Sequence, residues 1–320
     1  MGLGWLTKGF FIGSRGVNVR RMTPGQVALR GLGILAFLVV AIMALAMVFK
    51  NRLIFAPTRG IERGIGIIGW EFEDLMLQGL DGNLFNAWFL PGPPGSAVVL
   101  LLHGNAGNLE TMTGRIILYH KMGYGVMAID YEGFGLSQGS PGEEATYADA
   151  EAAWRYLEDH GIPPGNIIIH GFSLGGAVAV ELARAKKGYR NPLILDGTFT
   201  SLADVAESHM PILGVAARAV VGKTYDSVGR LGDISPSRLL VLHSQDDDVV
   251  PYALGRELYE AYLGGPKEFI ELAGGHMDFY PNQNLYAQAI MGNFPADGDS
   301  GGWAGFRAPE EPGAKATVAN

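Results

Sequence analysis

Residues 166–184, NIIIHGFSLGGAVAVELAR, run a short apolar stretch, the pentapeptide Gly171-Phe172-Ser173-Leu174-Gly175 and a helix-forming segment together without a break. A G-x-S-x-G string carries chemical meaning in this one context, where a strand turns abruptly into a helix. The turn lifts the serine hydroxyl clear of the sheet, where a histidine can take its proton and an ester or amide carbonyl can approach. Glycines two before and two after the serine leave room for the tight backbone, and Gly176 lets the helix lie close to the strand. A chain built around such a turn is expected to alternate strands with helices, with Ser173 as its nucleophile.

Other strings of the same spelling lack that context. Gly135-Leu136-Ser137-Gln138-Gly139 also reads G-x-S-x-G, but DYEGFGL before it and QGSPGEE after it are loop chemistry on both sides, which argues for a structural Ser137. Gly64-Ile65-Gly66-Ile67-Ile68-Gly69 spells a dinucleotide fingerprint and then runs into WEFEDLML, a strand rather than a helix. The similar string opening at Gly31 lies inside a wholly apolar segment with no strand before it. Neither is expected to bind a cofactor.

The apolar pattern predicts eight strands, at 70–78, 84–90, 97–103, 125–130, 166–172, 193–197, 238–243 and 268–273. Leu80-Asp81-Gly82-Asn83 between the first two is turn chemistry and predicts an antiparallel hairpin. The later runs are continuously apolar, as in parallel strands buried on both faces. Helical spacing is clearest over 144–159, where Tyr147, Ala150, Trp154 and Leu157 share a face. The expectation is an α/β domain over 53–290 with a mainly parallel eight-stranded sheet flanked by helices. Residues 292–320, rich in Gly, Ala, Pro and acids, read as a disordered tail.

A serine on such a turn needs a base, an acid to hold that base, and donors for a developing oxyanion, with chain order Ser, acid, His. His276, in Gly274-Gly275-His276-Met277-Asp278 after the last predicted strand, is the base expected from its position. His170 and His243 are expected to pack, and His120, His160 and His209 to serve surface or packing roles. The acid should leave a strand end between Ser173 and His276. Ser244-Gln245-Asp246-Asp247-Asp248 offers three carboxylates and spacing does not choose among them; Asp196, ending the preceding strand, is the runner-up. Sequence neighbours rarely converge on one ion, so no metal is expected. One oxyanion donor is the N–H of Leu174, and the loop His103-Gly104-Asn105-Ala106-Gly107-Asn108 supplies the other through Asn105. That loop lacks the Lys-Ser/Thr of a phosphate-binding loop.

These motifs together resemble the α/β-hydrolase-fold serine hydrolases, and in particular a membrane-anchored, small-lid branch carrying an HGNAGN loop. The matching stretches are LIFAPTRG (53–60), HGNAGN (103–108), DYEGFGLSQGSPGEEATYADAEAAWRYL (130–157), GFSLGGAVAVELA (171–183), DGTFTSL (196–202), the DDDVVP run and GGHMDF (274–279). The resemblance implies H-G-x-x-D-x-V-x-P for the acid motif, which selects Asp247. Ser244 stands where that branch usually has Gly. It also implies a small lid or open cleft over 203–237 and a Ser173–His276–Asp247 hydrolase acting on acyl esters or thioesters. A peptidase, an acyltransferase and a catalytically silent interaction module are the alternatives.

Gly31–Phe49 is nineteen residues without a charge, long enough at 1.5 Å each to span roughly 28 Å, near the thickness of a bilayer's hydrocarbon core. Thirty residues precede it, more than a signal peptide's n-region, so an uncleaved single-pass anchor after a basic segment (1–30) is expected. Five basic residues before the run, against four after it (Lys50, Arg52, Arg59 and Arg63), favour an extracytoplasmic catalytic domain. Beyond residue 52 the chain carries 17 basic against 32 acidic residues, a balance that repels phosphates and excludes nucleic acid as a partner. Absence of cysteine excludes disulfides, thiolate metal sites and cysteine nucleophiles. The expected partners are a small-molecule or lipid acyl substrate and the membrane.

Overall fold

The computed structural model describes residues 8–13, 16–21, 23–62, 64, 69–210 and 214–295, and the chain divides into two compact units, Met1–Leu53 and Ile54–Asn320. The first unit holds an antiparallel hairpin, β1 (Lys8–Gly13) with β2 (Gly16–Arg21), and a 25-residue helix, α1 (Pro24–Val48). The hairpin lies in a segment whose sequence signalled only charge. The helix starts seven residues before the expected Gly31. Thr23 Oγ1 accepts from Gln26 N–H at 3.3 Å and Gln26 Oε1 accepts from Thr23 N–H at 3.0 Å, with Pro24 in the first turn. That capping box satisfies two orphan amides and fixes the start, whereas counting uncharged residues starts only after Arg30. No α1 residue is buried, and the helix is long and apolar enough to cross a membrane.

Helix α2 (Lys50–Ile54) ends at the division between the units, and the second unit continues with β3 (Ala56–Pro57), β4 (Glu73–Gln78), β5 (Leu84–Leu90) and β6 (Val98–Leu102). Next come β7 (Ala106–Gly107), α3 (Thr113–Lys121), β8 (Gly125–Ile129) and α4 (Glu143–Asp159). They are followed by β9 (Ile167–Phe172), α5 (Leu174–Ala185), β10 (Leu193–Asp196) and the helices α6 (Leu202–His209), α7 (Gly214–Val221) and α8 (Ser227–Arg230). The unit closes with β11 (Leu239–Ser244), α9 (Tyr252–Ala261), β12 (Lys267–Leu272) and α10 (Phe279–Asn293).

Eight strands form one sheet in the order β12-β11-β10-β9-β6-β8-β5-β4, antiparallel at β4–β5 and β5–β8 and parallel elsewhere. All eight predicted strands are present. The first starts three residues late, because Trp70 and Phe72 pack their rings on His120 and Trp88 before pairing begins. Successive residues of β6 face opposite sides: Leu100 and Leu102 join a core with Trp154 and Val178, Val99 and Leu101 one with Ile116 and Tyr286. Burial on both faces is why these strands read as unbroken apolar runs. The parallel strands end along one sheet edge, where ligands of such sheets bind.

Chain order continues past the expected boundary at residue 290. Helix α10 runs through Asn293 and Phe294 is buried, its carbonyl accepting from Tyr124 Oη. The rest of the predicted tail, 296–320, lies outside the described residues, as do 65–68 of the dinucleotide-like string. Ser137 is buried and structural: its Oγ donates to Asp130 O at 2.7 Å and accepts from Asn86 N–H at 2.8 Å.

A buried carboxyl on α4 is hydrogen-bonded to this loop. Asp149 Oδ2 accepts from Glu132 N–H at 2.9 Å, while Oδ1 is buried with no hydrogen-bond partner among the described residues. Burial, with Glu132 and Asp81 nearby, pushes its pKa up to about 8 against the opposing backbone hydrogen bond. With the folded value above the unfolded one, the stability it lends is complete below pH 4 and is lost as pH rises towards 8. Asp149→Asn should flatten that decline and raise the thermal midpoint at pH 8 by a few degrees, the shift produced by ~1 kcal/mol in a domain this size. Calorimetry at pH 5 and pH 8 measures it; a midpoint lowered equally at both values rejects the account.

Candidate active site

Ser173 joins β9 to α5 at φ 53° and ψ −124°, a conformation that L-residues adopt only when their surroundings enforce it. Here they do. Ser173 N–H donates to Asp196 O at 2.8 Å, and its carbonyl accepts from Thr198 Oγ1 at 2.7 Å and Gly176 N–H at 2.9 Å. A Cβ on Gly171 would strike the Gly175 backbone and one on Gly175 the Leu102 carbonyl, so both glycines of the motif are sterically required; one on Gly176 would strike Thr198.

From that turn a hydrogen-bonded line runs across the strand ends. His276 Nε2 lies 3.0 Å from Ser173 Oγ, and His276 Nδ1 lies 2.7 Å from Asp247 Oδ2. Asp247 Oδ1 accepts from the N–H groups of Val249 and Val250 at 2.9 and 2.7 Å. Burial pushes the Asp247 carboxyl up, but hydrogen bonds from His243 and His276 outweigh it and hold it well below the usual carboxylate range. An ionised Asp247 keeps the proton on Nδ1 and leaves the Nε2 lone pair facing the serine.

The neighbouring carboxylates take other duties. Asp248 Oδ1 accepts from His276 N–H at 3.3 Å, Asp246 is exposed, and among the described residues no cluster of three or more metal-ligating side chains is placed to hold an ion. Ser244 donates from its Oγ to Gly274 O, so the departure from Gly ties the Asp247 loop to the His276 loop. Asp196, the runner-up acid, is engaged elsewhere. Arg115 meets its Oδ2 at 2.9 Å through Nε and 2.8 Å through Nη2, and Tyr286 Oη donates to Oδ1 at 2.5 Å. Burial raises the Asp196 carboxyl, yet Arg115 and the hydrogen bonds bring it well below its ordinary value.

The loop predicted to donate a second amide lies directly against the serine. A Cβ on Gly104 would be 3.1 Å from Ser173 Cβ, which fits only glycine comfortably. His103 Nδ1 donates to Gly104 O at 2.7 Å, so the trans peptide turns the Asn105 N–H away from that ring. Leu174 opens α5, and its N–H is among the helix's first four amides, which have no intrahelical acceptor.

Three participants escaped the sequence. His243 donates to Val250 O at 2.9 Å and lies 3.4 Å from Asp247 Oδ2, bracing the acid loop rather than only packing. Phe172 stacks on the His276 ring at a centroid distance of 4.9 Å and 29° between planes. Arg115 lies over the Phe172 ring, 4.1 Å from its centroid. Phe172 occupies the variable position of the G-x-S-x-G motif, and nothing in the spacing marks Arg115. The predicted lid segment forms α6, α7 and α8, and His209 Nε2 donates to Val249 O at 2.7 Å.

A parallel sheet carrying a serine on a strand-to-helix turn, with His and Asp on later loops, defines the α/β hydrolases, and the comparisons agree. Residues 93–228 match the family model described as serine aminopeptidase, S33. Rv2307c of Mycobacterium tuberculosis, an uncharacterized protein, is 32% identical over 233 residues, covering 72% of this chain and 81% of that one. The crystal structure of an alpha-beta hydrolase from Vibrio vulnificus superposes with a TM-score of 0.62 at 28% identity, covering 71% of this chain and 82% of the other. The Pyrococcus furiosus esterase Pf2001 shares the fold with a TM-score of 0.61 at 18% identity, over 74% of this chain and 96% of that one. The chain belongs to the α/β-hydrolase family.

Proposed function

We propose that the protein is a membrane-anchored serine hydrolase that cleaves acyl esters or thioesters through an acyl-enzyme on Ser173. The observation that carries this reading is the hydrogen-bonded line from Ser173 Oγ through His276 to Asp247. Ser173 Oγ attacks the carbonyl carbon as its proton passes to His276 Nε2, and the imidazolium that forms is held by ionised Asp247. The amides of Leu174 and Asn105 receive the oxyanion. Collapse of the tetrahedral intermediate breaks the bond to the leaving alcohol or thiol, which takes the proton from His276. Water, deprotonated by the same imidazole, then releases the acid and restores Ser173.

Helix α1 supports tethering to a membrane, with the basic residues before it in the cytoplasm and the hydrolase outside. A tethered enzyme meets acyl substrates presented at a lipid surface. The family model's description, a serine aminopeptidase, favours amide hydrolysis as a second reading on the same residues.

A fluorophosphonate probe on the full-length protein should form a single adduct that peptide mass mapping places on Ser173. An adduct on Ser137, or none, rejects the reading. Competing ester, thioester and aminoacyl-amide substrates against that labelling ranks the leaving groups, and amides prevailing would favour the peptidase.

A further inference from the structure

The LIFAPTRG stretch has no part in the chemistry above, yet it is hydrogen-bonded to the loop beside Ser173. Parallel pairing of β3 with β7 sets Ala56 opposite Ala106 and Pro57 opposite Gly107. Ala56 N–H donates to Asn105 O at 2.8 Å and Thr58 N–H to Gly107 O at 2.7 Å. Both asparagines of HGNAGN direct their side-chain amides to the same strap. Asn105 Nδ2 donates to Ile54 O and Asn108 Nδ2 to Gly60 O, each at 2.8 Å.

The strap's other side grips the loop around Ser137. Gly60 N–H donates to Gly135 O and Gly135 N–H to Thr58 O, both at 2.9 Å, and Arg59 Nη1 donates to Ser137 O at 2.7 Å. Phe55 is buried edge-on to Phe134, with centroids 6.2 Å apart, and Phe134 lies 4.8 Å from the His103 ring. That ring holds the Gly104 carbonyl, the other end of the peptide bearing the Asn105 N–H. Residue 105 is thus fixed through its carbonyl, its side chain and the preceding peptide, and two of those three restraints come from the strap.

We infer that Ile54–Gly60 is a positioning element for the oxyanion donor, and that Asn105 and Asn108 are present as staples to it rather than as substrate ligands. The inference rests on the assignment of the Asn105 amide to the oxyanion. A donor held in advance acts without reorganisation when charge develops, whereas a loosened one stabilises the transition state less while leaving ground-state binding unchanged.

Two full-length variants test this, with kcat expressed per fluorophosphonate-titrated site so that misfolded protein does not count. Asn105→Ala removes one staple and keeps the backbone N–H; Ala56→Pro removes the N–H donated to Asn105 O, at a position remote from the acyl carbonyl. Each should lower kcat about 10- to 100-fold, a part of the full cost of losing a donor. KM should stay within about twofold, and affinity for a trifluoromethyl ketone transition-state analogue should fall by the same factor as kcat. Unchanged kcat per site in either variant overturns the proposal, as does a rise in KM at constant kcat, which would make Asn105 a substrate ligand. If Ala56→Pro does not accumulate, Asn105→Ala decides alone. Turnover retained by Ser173→Ala would instead sink the underlying assignment, whatever the strap variants do.

Discussion

Ser173→Ala in the full-length protein should lower kcat for a short p-nitrophenyl ester by about 10⁴-fold or more, the scale of losing the nucleophile of a serine hydrolase. The loss should be one of chemistry rather than folding. Among the described residues Ser173 Oγ is hydrogen-bonded to His276 alone, and the hydrogen bonds that hold the strained turn are made by its backbone to Asp196, Thr198 and Gly176. Alanine keeps all of them, so thermal unfolding should be unchanged within about 0.5 kcal/mol. Ser137→Ala should behave in the opposite sense: its hydroxyl bridges Asp130 O and Asn86 N–H inside the protein. It should unfold earlier and keep its turnover per titrated site. The reverse pairing of outcomes would exchange the roles of the two serines.

Asp247→Asn should lower kcat by about 10⁴ with little change in KM, because an amide facing Nδ1 favours the tautomer whose Nε2 already carries a proton. The two backbone N–H groups that Asp247 Oδ1 receives can still donate to the amide oxygen, so the loop should hold its shape. Asp196→Asn is the informative contrast. It leaves the Arg115 guanidinium buried without its counter-charge, a change that typically costs about 3–5 kcal/mol. Its thermal midpoint should fall steeply, and kcat per titrated site should fall far less than in Asp247→Asn. Should Asp196→Asn lose turnover as deeply as Asp247→Asn while staying folded, the acid has been assigned to the wrong carboxylate.

The contrast also marks where sequence reading stops. The eight strands were legible because their two-sided burial writes itself as apolar runs, and Ser173 because a strand and a helix flank it. His276 was legible from its late place in the chain. The choice among Asp246, Asp247 and Asp248 was not, since adjacent residues differ in direction and spacing records none; the family motif made it. The occupation of Asp196 was hidden for another reason. Its partners Arg115 and Tyr286 are 81 and 90 residues away, too far for any periodicity to connect. The start of α1 was written in Thr23-Pro24-Gly25-Gln26, and only attention to uncharged length obscured it. The hairpin β1–β2 carries no turn pair or apolar alternation strong enough to announce itself.

The placement of His276 has a consequence for the birth of the protein. It follows β12, an edge strand paired to β11 alone, and lies 103 residues after Ser173. At about 5–20 residues per second, a ribosome exposes the serine roughly 5–20 s before the imidazole exists. A chain caught in mid-synthesis therefore carries the proposed nucleophile without its proposed base. β12 is one of the sheet's two edge strands, so on the proposed mechanism its transient opening would move the base away from Ser173 while the central strands stay folded. On the proposed mechanism, competence arrives late in synthesis and depends on one edge of the sheet.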